Sequence, residues 1–384
     1  MSQAELKPLP PCGGGVGERG GSRLPHVDLV KVVASQLIVL HHLAFYGPLS
    51  DSLFKLAPEM VSWMYDYARM AVQAFLVVGG FLAARSLAPQ GKLLLKQPAS
   101  YLVNRYARLV FPFAVALLLA ILAAWAARYL MDMEFVPDRP RLKQLLAHLF
   151  LLHNVLDVDA LSAGVWYVAI DFQLTALFLL LLWLTRKSEF VSMMAVAGLA
   201  VASLFFFNLD ASWDVWAVYF FGSYALGVAA FWSSRASALW LVVVVLAVVL
   251  AMMVDYRLRI LVALTVALFL ALAQRGLFRS SALQSMPHSA VIQYLSRTSY
   301  SLFLVHFAVL MLANAIFERF FDASPLLAVM FALFAWATSM AAADLFYRRV
   351  ERANPGVPEF IRSGVAMLFS FVKRIPGWLA GQRG

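Results

Sequence analysis

The sequence has a single cysteine, Cys12, and few charges: 14% of its 384 residues are Asp, Glu, Lys or Arg. A lone thiol excludes a disulfide framework and any multi-cysteine metal centre. The scarcity of charge is set against 62% hydrophobic residues. That balance excludes a soluble enzyme, since soluble domains carry about 25% charged residues. It also excludes a disordered chain and an ordinary nucleic-acid-binding protein. The sequence has no Walker loop, dinucleotide fingerprint, zinc pattern or nucleophile elbow, so nothing points to an ATP-driven pump. Long polar stretches are missing too, which leaves no room for a second soluble domain.

What is present is lipid-facing apolar sequence. A spanning helix needs about 20 such residues. Runs of that kind fall near 29–46, 65–87, 109–130, 165–184, 190–207, 215–232, 238–254, 258–273, 292–317 and 325–347. The expected fold is an all-α polytopic membrane protein of about ten transmembrane helices. One further apolar stretch, 145–156, contains His148 and His153 and is too short to span, so it is expected to be re-entrant or interfacial. Residues 1–26 are Gly-rich, read as a disordered tail, and lack the apolar core of a signal peptide. The first span then serves as an uncleaved anchor. Residues 27–352 form the transmembrane domain, and 353–384 form a second tail whose 361–372 portion has an interfacial character.

Ten spans place both termini on one side. The chain carries a formal net charge of +10, and basic residues concentrate on the cytoplasmic side of membrane proteins. With cytoplasmic termini, more than two-thirds of the 31 Lys and Arg fall inside. Counting 145–156 as a full span would reverse every later loop and expel Arg186, Lys187, Arg275, Arg279 and the basic C-terminal segment.

Ionisable residues within spans are costly and mark cavities or partners. The first span runs from Asp28 through Lys31 to His42. Eleven residues make three turns plus about 20°, so Lys31 and His42 share a face with roughly 16 Å between them. A histidine at that depth is a candidate general base, because its pKa lies near neutrality. Such histidines also serve simply as hydrogen-bond partners of neighbouring helices. His306 follows Ser299 by seven residues in the ninth span, on the same face, and lies as far from its inner end as His42 does from Asp28. Matching depth in spans of the same direction predicts one polar cavity. Arg105 and Arg108, three apart before Pro112, suit bidentate phosphate recognition, although arginines at inner helix ends also set topology. Asp171 follows Trp166 and Tyr167 near the expected outer end of the fourth span. Asp344 with Arg348, at i, i+4, reads as a helix-end ion pair, with Glu351 beyond it in the cytoplasm.

In order and spacing, these fragments resemble the acyltransferase family 3 of bacterial integral-membrane proteins, over most of the chain. The family's Asp-x-x-(Arg/Lys), ten residues, then His is met by Asp28, Lys31 and His42. Its Phe-Phe-x-x-Ser-Gly-Phe pattern is matched by 75–81 with Gly79 in place of Ser. Arg105 and Arg108 match Arg-x-x-Arg. Trp166, Tyr167 and Asp171 match a Trp-(Phe/Tyr)-x-x-x-Glu motif with a shorter acid. Ser299, Tyr300 and His306 match Ser-Tyr-x-x-x-x-x-His. Tyr347, Arg348 and Glu351 match the closing Tyr-Arg-x-x-Glu, with Ala353 where proline is usual.

The resemblance implies a membrane O-acyltransferase with acyl-CoA, commonly acetyl-CoA, as cytoplasmic co-substrate and no permanently bound cofactor or metal. It implies a hydroxyl acceptor on a glycan or lipid-linked saccharide, residence in the bacterial inner membrane among its lipids, and no nucleic-acid partner. Under that reading His42 is the general base on the acceptor hydroxyl or a transient acyl carrier, with direct transfer favoured, and His306 orients or polarises the thioester carbonyl. Asp171 approaches from the outer side. Lys31, Arg105 and Arg108 hold the CoA phosphates, while Trp166, Tyr167 and Ser299 contact the substrate. The rival expectation is a polar-lined secondary transporter, in which histidines and acids relay protons without acyl transfer.

Overall fold

A computed structural model describes residues 23–131, 135–235, 238–277, 289–321 and 324–354. The expected N-terminal tail up to residue 22, with Cys12, and the 361–372 stretch lie outside the described residues. No strand occurs among those described. The α-helices are α1 (Pro25–Phe45), α2 (Gly47–Leu56), α3 (Pro58–Asp66), α4 (Ala71–Leu87), α5 (Pro98–Ala127), α6 (Leu142–Leu149) and α7 (Val165–Leu184). They continue with α8 (Glu189–Phe205), α9 (Ala217–Arg235), α10 (Ala238–Val254), α11 (Leu258–Gln274), α12 (Ala290–Phe320) and α13 (Pro325–Phe346).

Each of the ten expected spans coincides with one of these helices. Among the described residues, seven helical stretches are long and apolar enough to cross a membrane: Pro25–Phe45, Pro58–Leu87, Pro98–Ala127, Val165–Leu184, Glu189–Leu209, Ala290–Phe320 and Pro325–Glu351. Helices α10 and α11, at 17 residues each, are shorter, and with the 19-residue α9 they occupy the remaining three places. Proline opens α1, α3, α5 and α13. Its missing N–H costs nothing in a first turn, and its φ is already helical. Helix α1 therefore starts at Pro25, inside the segment expected to be a tail, and Arg23 is tied to the Gln293 side chain at 2.8 Å. The tail boundary moves accordingly.

Helices α1 and α12 run parallel, side by side, over most of their length. Ser296 on α12 donates to Asp28 on α1, His42 meets His306, and the Leu49 N–H just past α1 donates to Asn314. Apolar residues form two large clusters. One is built mainly from α4, α7, α9 and α11, the other from α1, α5, α12 and α13. The polar interior lies where they meet.

Two backbone features shape that interior. At the crossing of α4 and α9, a Cβ on Gly80 would overlap the Tyr224 carbonyl oxygen, and one on Gly227 would overlap that of Val77. Only residues without side chains allow this approach. The Ser223 hydroxyl donates to Gln73 Oε1 across the same crossing, at 2.7 Å. In α5, Pro112 has no N–H to offer Arg108, four residues back. The freed Arg108 carbonyl accepts from the Asn354 side chain, and the next carbonyl, Leu109, accepts from the Tyr300 hydroxyl at 3.1 Å.

The short apolar stretch forms α6, only eight residues long. The carbonyl of Leu149 at its end accepts from the Tyr106 hydroxyl at 2.6 Å. Tyr106 lies in the first third of α5, roughly 30 Å before that helix ends at 1.5 Å per residue. The chain leaving α5 therefore turns back along it before α7 begins, as a re-entrant segment does.

Candidate active site

The register of α1 against α12 brings His42 and His306 together. His42 Nδ1 and His306 Nε2 are 2.6 Å apart, and His306 Nδ1 lies 2.8 Å from the Leu302 carbonyl. The ring planes are parallel within 4° and the centroids are 4.9 Å apart. For so short a nitrogen–nitrogen distance, that separation puts the rings edge to edge in nearly one plane. This is the geometry of a linear N–H···N bond. The tautomers follow from the partners. A carbonyl only accepts, so His306 Nδ1 carries the proton and its neutral ring offers Nε2 as acceptor. His42 Nδ1 must then donate, which leaves the lone pair of His42 on Nε2. The arrangement is a base held in one tautomer by a second imidazole, itself held by a main-chain carbonyl.

This places His306 differently from the sequence reading. Both of its ring nitrogens are engaged, so it has no free N–H with which to polarise a thioester carbonyl. His306 is fully buried and His42 is 9% exposed.

Below the imidazole pair, toward the end of the bundle that carries Arg23, lies a group of charged side chains. Arg105 Nη2 and Asp171 Oδ2 are 2.7 Å apart, and both residues are buried. The sequence reading had set them at opposite faces, Arg105 inside and Asp171 outside. The re-entrant segment carries the start of α7 into the bundle, so Asp171 descends to the level of Arg105, and Phe172 meets Tyr106 edge to face. A buried arginine spending its charge on a buried carboxylate is not a free phosphate ligand. Tyr300 lies within electrostatic reach of this pair and of Glu351.

Glu351 was expected to lie in the cytoplasm beyond the helix-end ion pair. The chain instead widens into a π-turn over Tyr347–Glu351, with the Arg352 N–H reaching back to the Tyr347 carbonyl at 2.8 Å. Such turns recur at functional sites because they redirect a side chain. This one carries Glu351 to Ser301, whose hydroxyl donates to Oε2 at 2.6 Å. The charge of Lys31 reaches the same carboxylate. Asp344 and Arg348 form the expected helix-end pair at 3.0 Å.

The remaining candidates are close to the site but engaged. The Ser299 hydroxyl donates to the Ser296 carbonyl at 2.9 Å. Trp166 stacks on Phe220, and Tyr167 packs against Phe75 and Phe303, the latter next to His306. Gly164, with φ +76, opens α7 where a Cβ would press 3.0 Å from the Phe303 ring. That fixes where Trp166 and Tyr167 stand.

The acyltransferase domain model of family 3 matches residues 24–348, nearly the whole chain. The chain belongs to acyltransferase family 3. This family 3 protein is therefore a multi-pass membrane acyltransferase, which speaks against a transporter without acyl transfer. No curated protein and no solved structure matches it. Its matched span contains His42, Arg105, Arg108, Asp171 and His306 and stops just short of Glu351.

Proposed function

We propose that this acyltransferase moves an acyl group, acetyl in the simplest case, from cytoplasmic acyl-CoA to a hydroxyl of a glycan or lipid-linked saccharide, in the inner membrane of a bacterium. The observation that carries this reading is the chain from Leu302 through His306 to His42, which ends in one free imidazole lone pair. His42 Nε2 takes the proton of the acceptor hydroxyl as its oxygen attacks the thioester carbonyl. The tetrahedral intermediate collapses by breaking the carbon–sulfur bond. The CoA thiolate leaves with the proton from His42, so the step begins and ends with a neutral base. His306 is a positioning residue: its acceptor nitrogen favours the donor tautomer at His42 Nδ1 and steadies the imidazolium that forms.

In this reading the donor enters from the basic end. Arg108 and the exposed cations there meet its phosphates, while Arg105 is held by Asp171 and shapes the wall. Trp166 and Tyr167 contribute the aromatic side on which a sugar ring rests. The test is to incubate the purified protein with labelled acetyl-CoA and a panel of glycans. Release of free CoA only with a particular acceptor, lost by at least about a hundredfold in His42→Ala, is the expected result. Undiminished transfer by a well-folded His42→Ala protein sinks the assignment.

A further inference from the structure

The imidazole pair supplies a base but no donor for the substrate. The proton on His306 Nδ1 is spent on the Leu302 carbonyl, and the proton on His42 Nδ1 is spent on His306 Nε2. A thioester carbonyl under attack gathers negative charge on its oxygen, and that charge calls for a preorganised donor. Nearby groups are committed elsewhere. Arg105 is held by Asp171, and the Ser299 hydroxyl by the Ser296 carbonyl. His41 turns toward α3, where its Nδ1 lies 3.4 Å from the Met64 carbonyl.

The other donor-bearing ring against His42 is that of Tyr46, one helical turn further on, with centroids 5.5 Å apart. Its place is fixed from several directions. Its N–H donates to the His42 carbonyl at 3.2 Å, which ties it to the base. Phe307, next to His306, packs against its ring at 5.0 Å, and Phe135 at 5.7 Å. Gly47, with φ +77, then turns the chain in against Asn314 and Phe135, where a Cβ would overlap both. A packed phenol usually finds a hydrogen-bond partner. The Tyr46 hydroxyl makes no hydrogen bond to the described residues, yet it is not fully enclosed by protein. The same is true of His42 Nε2. Two rings in contact therefore each leave one polar atom open, a lone pair on one and an O–H on the other.

We infer that Tyr46 is a further catalytic residue, whose hydroxyl donates to the carbonyl oxygen of the thioester. The inference rests on His42 being the base and acyl-CoA the donor. The acceptor oxygen bonds to the carbonyl carbon, and its proton passes to His42 Nε2. The carbonyl π pair moves onto oxygen, where Tyr46 holds it by a hydrogen bond and keeps its own proton, as a phenol does near neutrality. When the intermediate collapses, the pair returns, the carbon–sulfur bond breaks, and the thiolate takes the proton from His42. The polarising role expected of His306 thus passes to Tyr46.

Tyr46→Phe removes one oxygen and keeps the ring between Phe135 and Phe307. The test uses the full-length protein, labelled acetyl-CoA and the member of the glycan panel that supports CoA release. Tyr46→Phe is expected to lower kcat by about 10²–10³-fold, as loss of one oxyanion donor does. KM for both substrates should stay within about threefold, and the unfolding temperature close to that of the parent. With 3-fluorotyrosine at position 46, a stronger donor of nearly the same shape, kcat at pH 7 is expected to rise. If Tyr46→Phe does not fold, the fluorotyrosine protein decides, and an unchanged or lower kcat there overturns the inference. So does a folded Tyr46→Phe protein with kcat within about threefold of the parent, or with a loss confined to KM for the acceptor. His42→Ala separates the two readings. Full transfer without His42 sinks the base assignment and this inference together, whereas loss in His42→Ala with none in Tyr46→Phe sinks this inference alone. If no glycan supports CoA release, the acyl-CoA reading fails and the role of Tyr46 falls with it.

Discussion

Gly79 and Asp171 are neighbours: a Cβ built on Gly79 would lie 3.5 Å from Asp171 Oδ1. These are two of the positions where the motifs depart from the family pattern, which has a serine at the first and a longer acid at the second. The two shortenings open space at a single point, beside the carboxylate that holds Arg105. Gly79→Ser therefore adds a hydroxyl within reach of Asp171 at ordinary contact distance. The expected outcome is a stability change within about 1 kcal/mol, with acyl transfer retained. Gly79→Leu forces a branched side chain between Asp171 and Tyr224 and is expected to lower stability by about 1–3 kcal/mol. Thermal unfolding in detergent, with turnover measured beside it, checks both. A stable Gly79→Leu protein would show that the contact is loose.

The Arg105–Asp171 pair predicts asymmetry between single and double substitutions. Arg105→Met leaves a buried carboxylate without its counter-charge, which typically costs about 3–5 kcal/mol. Arg105→Met combined with Asp171→Leu removes both charges and is expected to recover most of that loss. If the double variant is no more stable than the single one, the two charges do not depend on each other.

The crossing of α4 and α9 makes a simpler prediction. Gly80→Ala and Gly227→Ala each place a methyl group onto a main-chain carbonyl of the opposite helix. Backbone cannot yield as a flexible side chain can, so the helices must separate. Each substitution is expected to destabilise by at least about 1–3 kcal/mol, as overpacking does. Gly198, which has open space around its position, is the control, and alanine there should be neutral or slightly stabilising. Equal effects at Gly80 and Gly198 would refute the close approach.

Much of this was legible from residue order alone. Each of the ten apolar runs falls on a helix because a segment in lipid must be long, apolar and hydrogen-bonded within itself. His42 and His306 could be matched because both are set back equally from the ends of helices that run the same way. The pairing of Arg105 with Asp171 could not be read, because it depends on how far the re-entrant segment carries the start of α7 into the bundle, and that is a tertiary property. Glu351 was missed because a regular helix end would have left it outside, and the π-turn that redirects it has no clear sequence mark. The part played by Leu302 is invisible for another reason: its contribution is a main-chain carbonyl, which any residue supplies. Glu351 did stand at the acid of the closing family motif, and that was the one available signal.

The re-entrant segment itself predicts a dependence on acid. His148 and His153 are fully buried, and their rings stack face to face at 4.3 Å within 7° of parallel. His148 is satisfied: Nδ1 donates to the Gln144 carbonyl and Nε2 accepts the Leu161 N–H. Among the described residues neither nitrogen of His153 has a hydrogen-bond partner, and burial, with His148 beside it, pushes its pKa down to about 4. The segment also holds the two non-glycine residues of positive φ among those described, Leu151 and Asp157, so its backbone is strained as well. A histidine whose folded pKa lies below its unfolded value of 6.5 favours the unfolded chain as protons bind. Stability is complete above about pH 6.5, falls as pH drops, and has lost its full share by about pH 4. That share is on the order of 3 kcal/mol, of which roughly 2 is gone at pH 5. His153→Phe keeps the stacked ring and removes the titration. Its unfolding temperature should therefore change much less between pH 7 and pH 5 than that of the parent. Parallel acid sensitivity in parent and variant would place the titrating group elsewhere.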